Sequence, residues 1–390
     1  MNEVSRALRA EADLAHDFVR RAEVYAFATD AVTQLQTALD PGADLAAVLL
    51  FISGKADFDA IYSEACTAFA PCPVIACTTA GEIGETGYVE DTIIALGLPH
   101  RHFAVDVVVF DTLCGDALAR DVDALIERRI TLAAQHPDKP NGFAFLAIDG
   151  LSLREDVVAA AIAPALGPVP LFGGSAGDGT SFLRALVAGN GAVHEKAAVL
   201  VLIQTDFRAE VFTLDHLNPT GTRMVVTSAD PEARIVKEIN AEPAAAEYAR
   251  IVGKDPGQLD EFTFAAHPVV VRIGERYHVR SIQRMNPEGE LVFFSAIDEG
   301  MVLTTALPEP MAPHLDKSLT EIIGPSTPAM ILACDCLLRR MEAEQTQEFR
   351  AVSDILSDHN VTGFSTYGEQ IGPIHVNQTM TGVVLFPPDE

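Results

Sequence analysis

Basic residues are scarce in this chain. Its 390 residues include 27 lysines and arginines against 55 aspartates and glutamates, a formal charge of −28, and no Lys/Arg-rich or aromatic-interleaved basic stretch. A field of that sign repels nucleic acid and anionic membrane surfaces and favours solubility, so neither is expected as a partner. Cysteine is sparse as well: six residues and no Cys-x-x-Cys. That excludes a disulfide scaffold and points to reduced thiols and a cytoplasmic setting. Long apolar runs are missing, because stretches such as LAAVLLFI (45–52) are far too short to span a bilayer. The opening MNEVSRALRAEADLAHDF has no apolar segment of the kind a signal peptide needs. Low-complexity tracts are absent too, and 48% hydrophobic with 21% charged residues describes an ordinary globular chain with length for about two domains.

What is present is repetition. Thr79-Ala80-Gly81-Glu82 follows an apolar run and returns as Ser175-Ala176-Gly177-Asp178 and as Thr366-Tyr367-Gly368-Glu369. A constant offset of 96 carries Gly54 to Gly150, Gly81 to Gly177 and Glu82 to Asp178; an offset of 104 carries Gly87 to Gly191 and Phe103 to Phe207. A fainter third copy at an offset of 287 carries Gly81 to Gly368 and Thr92 to Thr379. Such self-similarity marks duplicated architecture. Gly81, Gly177 and Gly368 are therefore expected at equivalent points of repeated units.

Each unit reads strand, helix, strand, turn, strand, with short β-branched runs bounded by Gly and Pro and helical spacing at Phe58, Ile61, Tyr62, Ala65 and Phe69. FAVDVVVFD and FRAEVFTLD are read as closing the first two units. The expected fold is mixed α/β: two domains of mixed sheets flanked by helices, with duplicated strand–helix–strand–turn–strand units. Residues 1–26 form an N-terminal segment, read as an edge element or a partner-docking helix. Residues 27–220 form a first domain with repeats at 47–111 and 143–215. Residues 221–390 form a second domain with a hairpin-rich start and a third unit at 329–386. Asp230-Pro231 suits a helix N-cap followed by proline, and LLRRMEAEQTQEFRAVSDILSDHN reads as one long helical stretch.

The turns have two readings. As ligand loops they would present a hydroxyl and a carboxylate at strand ends, with glycine allowing close backbone approach. As architecture they are tight turns whose acid satisfies nearby backbone N–H groups, and recurrence favours that reading. The glycine-rich FGGSAGDG (172–179) is the copy best suited to approach a ligand, which nominates Gly173, Gly174, Ser175 and Gly177. It lacks the phosphate-loop order and misses the Gly-x-Ser-x-Gly elbow by one residue. In CDCLLRR, Cys334 and Cys336 share one face of a strand but make no tetrahedral metal site alone. Arg339 and Arg340 at a helix start run against the dipole and ask for a fixed carboxylate partner, Glu369 or a ligand acid. His267, His278 and His375 lack metal-ligand spacing, and a structural hydrogen-bonding role suits each of them.

Together, CTTAGEI, FGGSAGDG, AHPVVV, YHVRSI, ILACDCLLRR, GFSTYGEQ and HVNQT, in this order over about residues 27–386, resemble the FIST family of sensory proteins. The resemblance implies a non-catalytic module that binds a small ligand, such as an amino acid, and feeds signalling enzymes. The CDCLLRR and GFSTYGEQ wording is most similar to a haem-containing, nitric-oxide-sensing branch that acts on histidine kinases or cyclic-di-nucleotide synthases and phosphodiesterases. That implies haem b, held non-covalently because Cys-x-x-Cys-His is absent, with His375 or alternatively Cys336 on iron. Tyr367 and Glu369 of GFSTYGEQ join the ligand-binding set. The alternative is a sensor of a small anionic metabolite clamped by Arg339 or Arg340 and the amides near Gly173–Gly177. A hydrolase using Ser175 or Cys336 is the reading from another class. Kinase, helix-turn-helix and GGDEF-like stretches are absent, so signalling is expected through contact with another protein; an oligomer is left open.

Overall fold

The computed structural model describes residues 18–40 and 42–388. It is mixed α/β, and its chain runs through three units of one plan. The first contains β1 (Arg20–Tyr25), α1 (Ala31–Ala38), β2 (Leu45–Ser53), α2 (Phe58–Ala68), β3 (Val74–Thr79), β4 (Glu82–Gly84), β5 (Gly87–Val89) and β6 (Thr92–Pro99). The second contains β7 (Phe103–Phe110), α3 (Gly115–Gln135), β8 (Asn141–Asp149), α4 (Glu155–Leu166), β9 (Leu171–Ala176), β10 (Val187–Gly189), β11 (Ala192–His194) and β12 (Ala198–Thr205). The third opens with β13 (Arg208–Leu214) and is then interrupted by an insert. The insert holds β14 (Leu217–Asp230), β15 (Ile235–Ile239), β16 (Glu242–Pro243), α5 (Ala244–Val252), α6 (Glu261–Ala266), β17 (Val269–Ile273), β18 (Arg276–Val279), β19 (Ile282–Met285), β20 (Leu291–Phe293) and β21 (Val302–Pro308). The third unit resumes with α7 (Met311–Ile323), β22 (Met330–Cys336), α8 (Leu337–Gln345), α9 (Phe349–Asp358), β23 (Val361–Thr366), β24 (Glu369–Ile371), β25 (Ile374–Val376) and β26 (Met380–Phe386).

The sheets show how the units are joined. Their strand orders are β1-β6-β2-β3-β10-β11, β7-β12-β8-β9-β24-β25 and β13-β26-β22-β23-β4-β5. Each unit thus gives its small hairpin to the sheet of another: the first to the third, the second to the first, the third to the second. The exchange is cyclic. The middle strands are buried on both faces, as in LAAVLLFIS of β2 and AVLVLIQT of β12, because helices cover one face and the other units cover the opposite one. Leu118, Leu125 and Leu132, seven residues apart, are the buried stripe by which α3 lies on its sheet. At the centre, one apolar core takes Phe51 and Cys77 from the first unit, Phe145 and Phe172 from the second, and Cys334 and Phe364 from the third. The insert forms its own sheet, β18-β17-β21-β14-β15-β20-β19, with its own core.

Several sequence expectations change. β7 and β13 do not close the first and second units; each is the edge strand of the following unit's sheet, as β1 is of the first. Residues 20–25 are thus an edge element, while residues 1–17 lie outside the described part. Asp230 caps a turn by accepting from Ala233 N at 3.2 Å, and the next element is β15, not a helix. The long helical stretch is two helices, broken where Gln347 takes φ 62°. Residue 220 falls inside β14.

The repeat holds with one slip. β2 pairs Ser53 with Thr79, β8 pairs Asp149 with Ala176, and β22 pairs Cys336 with Thr366. Ser53 and Asp149 are 96 residues apart, but Thr79 and Ala176 are 97 apart. Backbone bonds agree: Ala80 N donates to Ser365 O (2.9 Å), Gly177 N to Thr78 O (3.2 Å) and Tyr367 N to Ser175 O (3.1 Å). Gly177 is therefore the counterpart of Ala80 and Tyr367, and Asp178 stands where Gly81 and Gly368 stand.

Candidate functional site

The three turns form corners where units meet. In the first, Thr79 Oγ1 donates to Glu82, whose other oxygen accepts from Thr92 N (3.2 Å) and Thr92 Oγ1 (2.9 Å). In the third, Thr366 donates to Glu369, which also accepts from Thr379 Oγ1 at 2.6 Å. Both acids are fully buried, and burial raises the pKa of each. For Glu369 the bonds from Thr366 and Thr379 oppose this only in part, leaving it at about 8, so it is mostly protonated at neutral pH. These acids tie down their own corners. The narrow cleft over the first corner, lined by Lys55, Gly81, Asp91 and Asp178 among others, encloses about 40 Å³, room for little more than a water.

The second corner has lost the lock because Ala176 replaces threonine. Asp178 instead accepts from Leu183 N and Arg184 N, both at 2.9 Å. Tyr367, from the third unit, pins it: its hydroxyl donates to Asp178 and accepts from Asp178 N (3.1 Å), and its ring stacks on Phe182 at 4.5 Å. The nominated glycines serve unit packing. A Cβ at residue 173 would lie 2.1 Å from Leu146 O, and one at 174 would lie 2.5 Å from Thr366 Cγ2.

The arginine pair does not form the expected ligand clamp. Arg339 is wholly buried and donates to Asp335 at 2.7 Å, not to Glu369, and through Nη1 to His216 Nδ1 at 2.9 Å. With Nδ1 accepting, His216 Nε2–H donates to Glu342 at 2.9 Å. Tyr88 donates to the second oxygen of Asp335, which joins the first unit's hairpin to this network. Arg340 donates to Val89 O (3.2 Å) and Glu90 (3.0 Å) and lies over the Tyr88 and Phe349 rings. Cys336 is 1% exposed, and burial pushes its thiol well above the ordinary value, so it stays neutral.

His375 lies at the remaining junction, where α4, the β24–β25 hairpin and the insert converge. Cross-strand partners Gln370 and His375 share one face of the hairpin. Gln370 Nε2 reaches Ser175 Oγ at 3.0 Å and His375 Nδ1 at 3.1 Å, while Nδ1 is also 3.2 Å from Glu369 O. Among the described residues, His375 Nε2 and Gln370 Oε1 are buried without a partner. Burial lowers the imidazole pKa to about 4, against a rise caused by Asp156, so the ring is neutral at pH 7. From the break between β18 and β19 comes Arg280, 5% exposed, whose Nη1 donates to His375 O (2.8 Å) and Val279 O (3.3 Å) and whose Nε is unpartnered. Ser281 donates to Gln378 (3.0 Å), and Ser295 donates to Asn377. At the edge, Arg234 holds Glu155 (2.5 Å) and Asp156 (3.3 Å) at the start of α4.

Of the residues nominated from the sequence, His375 and Ser175 lie at this junction and Glu369 reaches it through its backbone oxygen, while Arg280 and Gln370 were not nominated. YHVRSI contains Arg280 in plain view, but a single arginine in a strand pattern carries no spacing signal. Among the described residues no histidine meets the Ser175 hydroxyl, which accepts from Gln370, so the hydrolase pair is not formed there. Nor does a porphyrin fit beside His375 as it stands: a Cβ on Gly368 would already lie 2.3 Å from Cε1 and 2.8 Å from Nε2. A groove of about 560 Å³ runs along the other face of the hairpin, past Ile371, Ile374, Arg276 and His278, and does not include His375. Among the described residues no group of three His, Cys, Asp or Glu side chains is placed to hold a metal ion, and no helix is long and apolar enough to cross a membrane.

Two family models match the chain: the FIST N domain over residues 46–242 and the FIST C domain over residues 244–372. No curated protein matches it.

Proposed function

Because the chain belongs to the FIST family, whose domains are sensory modules of signalling proteins, we propose that it senses a small polar ligand at the Gln370–His375–Arg280 junction. The observation that carries this is the set of unpartnered polar atoms, His375 Nε2, Gln370 Oε1 and Arg280 Nε, on two elements that meet there. Buried polar groups are nearly always hydrogen-bonded, and each exception costs about 1–3 kcal/mol. A ligand that bonds all three recovers that cost. The β24–β25 hairpin is the partition between the junction and the apolar groove, and it belongs to the third unit while lying in the second unit's sheet. Ligand contacts on Gln370 and His375 therefore bear on how those units are held together. That shift is what a signalling enzyme, a histidine kinase or a cyclic-di-nucleotide enzyme, reads by contact.

Thermal unfolding against a panel of small polar metabolites tests the reading, since a bound ligand raises stability by mass action. At least one compound stabilises the native chain saturably and loses its effect in Gln370→Leu. Equal stabilisation of both proteins, or none by any compound, overturns the site.

Haem b with His375 on iron is the second reading, favoured by the neutral, unpartnered Nε2. It demands withdrawal of Gly368 from the imidazole. Protein produced with haem supply decides it: a stoichiometric Soret band shifted by nitric oxide and lost in His375→Ala supports haem, and colourless protein rejects it.

A further inference from the structure

Four arginines are buried around the third unit and the insert, and they differ in what faces them; Arg340 has Glu90. Arg339 has Asp335 and Arg234 has Glu155 and Asp156. Arg280 bonds only carbonyl oxygens and has no carboxylate within ion-pair reach among the described residues. The acid whose charge acts on it, Asp156, is already held by Arg234 and by Ala296 N at 3.0 Å. A buried, unpaired guanidinium calls for an anion from elsewhere.

The other two atoms narrow the chemistry. Gln370 Oε1 only accepts, so the ligand must bring an O–H or N–H to it. That donor is not an ammonium group: the acids at the junction, Glu155 and Asp156, are both engaged by Arg234, and a third cation would sit near two guanidinium groups. Resting on the sensor reading above, we propose that the ligand is a small hydroxy acid. Its carboxylate pairs with Arg280, and its neutral hydroxyl donates to Gln370 with His375 Nε2 beside it. This moves the anion clamp from Arg339 and Arg340 to Arg280 and disfavours amino acids.

The test uses matched sets at fixed ionic strength. Sodium glycolate, lactate and glycerate are compared with glycolamide and lactamide, and with glycine and alanine, by thermal unfolding and calorimetric titration. One hydroxy acid binds saturably, at least tenfold more tightly than its amide or amino counterpart. Arg280→Met abolishes that binding yet melts no lower than the native chain without ligand, because an unpaired buried charge has been replaced by an apolar group. Should Arg280→Met fail to fold, Arg280→Lys keeps the charge and binds the same acid several-fold more weakly. Amides or amino acids that bind equally well, with loss in Gln370→Leu, overturn the hydroxy-acid class while leaving the site. No binding by any hydroxy acid, or binding unaffected in Arg280→Met and Arg280→Lys, overturns the proposal.

Discussion

Glu369 shows at the residue scale how burial sets behaviour. Its folded pKa of about 8 lies above the roughly 4.3 of an exposed glutamate, so the folded chain holds a proton that the unfolded chain releases. The stability tied to it is fully present below about pH 4.3 and is lost as pH rises towards 8. Glu155, pushed up to about 7 by burial against the pull of Arg234, acts in the same direction. His375, lowered to about 4, acts oppositely and only between pH 4 and about 6.5. Between pH 6.5 and 8 His375 no longer contributes, and the acids raised by burial set the slope. Denaturant melts at those two pH values should show a native chain that weakens as pH rises and a Glu369→Gln chain with a shallower slope; equal slopes contradict the assignment. Thr379→Val removes a donor from the same carboxyl and is expected to cost about 1–3 kcal/mol in the same melts.

Elements reveal what the sequence could and could not convey. The offsets from Gly54 to Gly150 and from Gly81 to Gly368 were legible because glycines at unit contacts cannot drift. The slip from 96 to 97 was not, since one residue more between β8 and β9 leaves the local motif intact. The segments that form the hairpins β4–β5, β10–β11 and β24–β25 were read only as turns, and their donation to other sheets rests on pairings far apart in sequence, such as Glu369 with Gly174. Arg280 was invisible for a related reason: its lack of a carboxylate is a fact of three elements, none of which shows it alone. Gly173 tests the packing of β8 on β9 within the second sheet. A Cβ there meets the Leu146 backbone oxygen, which cannot swing aside as a side chain can. Gly173→Ala should destabilise by about 3 kcal/mol or more, whereas Gly42→Ala, with only Asp40 Oδ1 near at 3.7 Å, should cost far less. Comparable melting of both variants contradicts the packing role.

The whole molecule is a closed ring of exchanges. Because β4–β5 completes the third sheet, β10–β11 the first and β24–β25 the second, no unit owns a full sheet. The division into FIST N and FIST C matches follows sequence, while the sheets cross it: β4 pairs with β23 and β9 with β24. Unfolding of the three-unit body should be a single cooperative transition. Chains 1–220 and 221–390 produced separately should lack a cooperative melt, and an independently folding 1–220 contradicts the interlocked account. If the proposed ligand binds at this junction, the same closure couples it to another unit, since the β24–β25 hairpin is held by two.

Amide hydrogen exchange with and without a stabilising hydroxy acid tests the central claim most directly. The account predicts slowed exchange at residues 279–281 and 369–376 and at the paired strand 172–174, with the cleft around Cys72 and His100 unchanged. Protection confined to that cleft, or none at the β24–β25 hairpin, contradicts it.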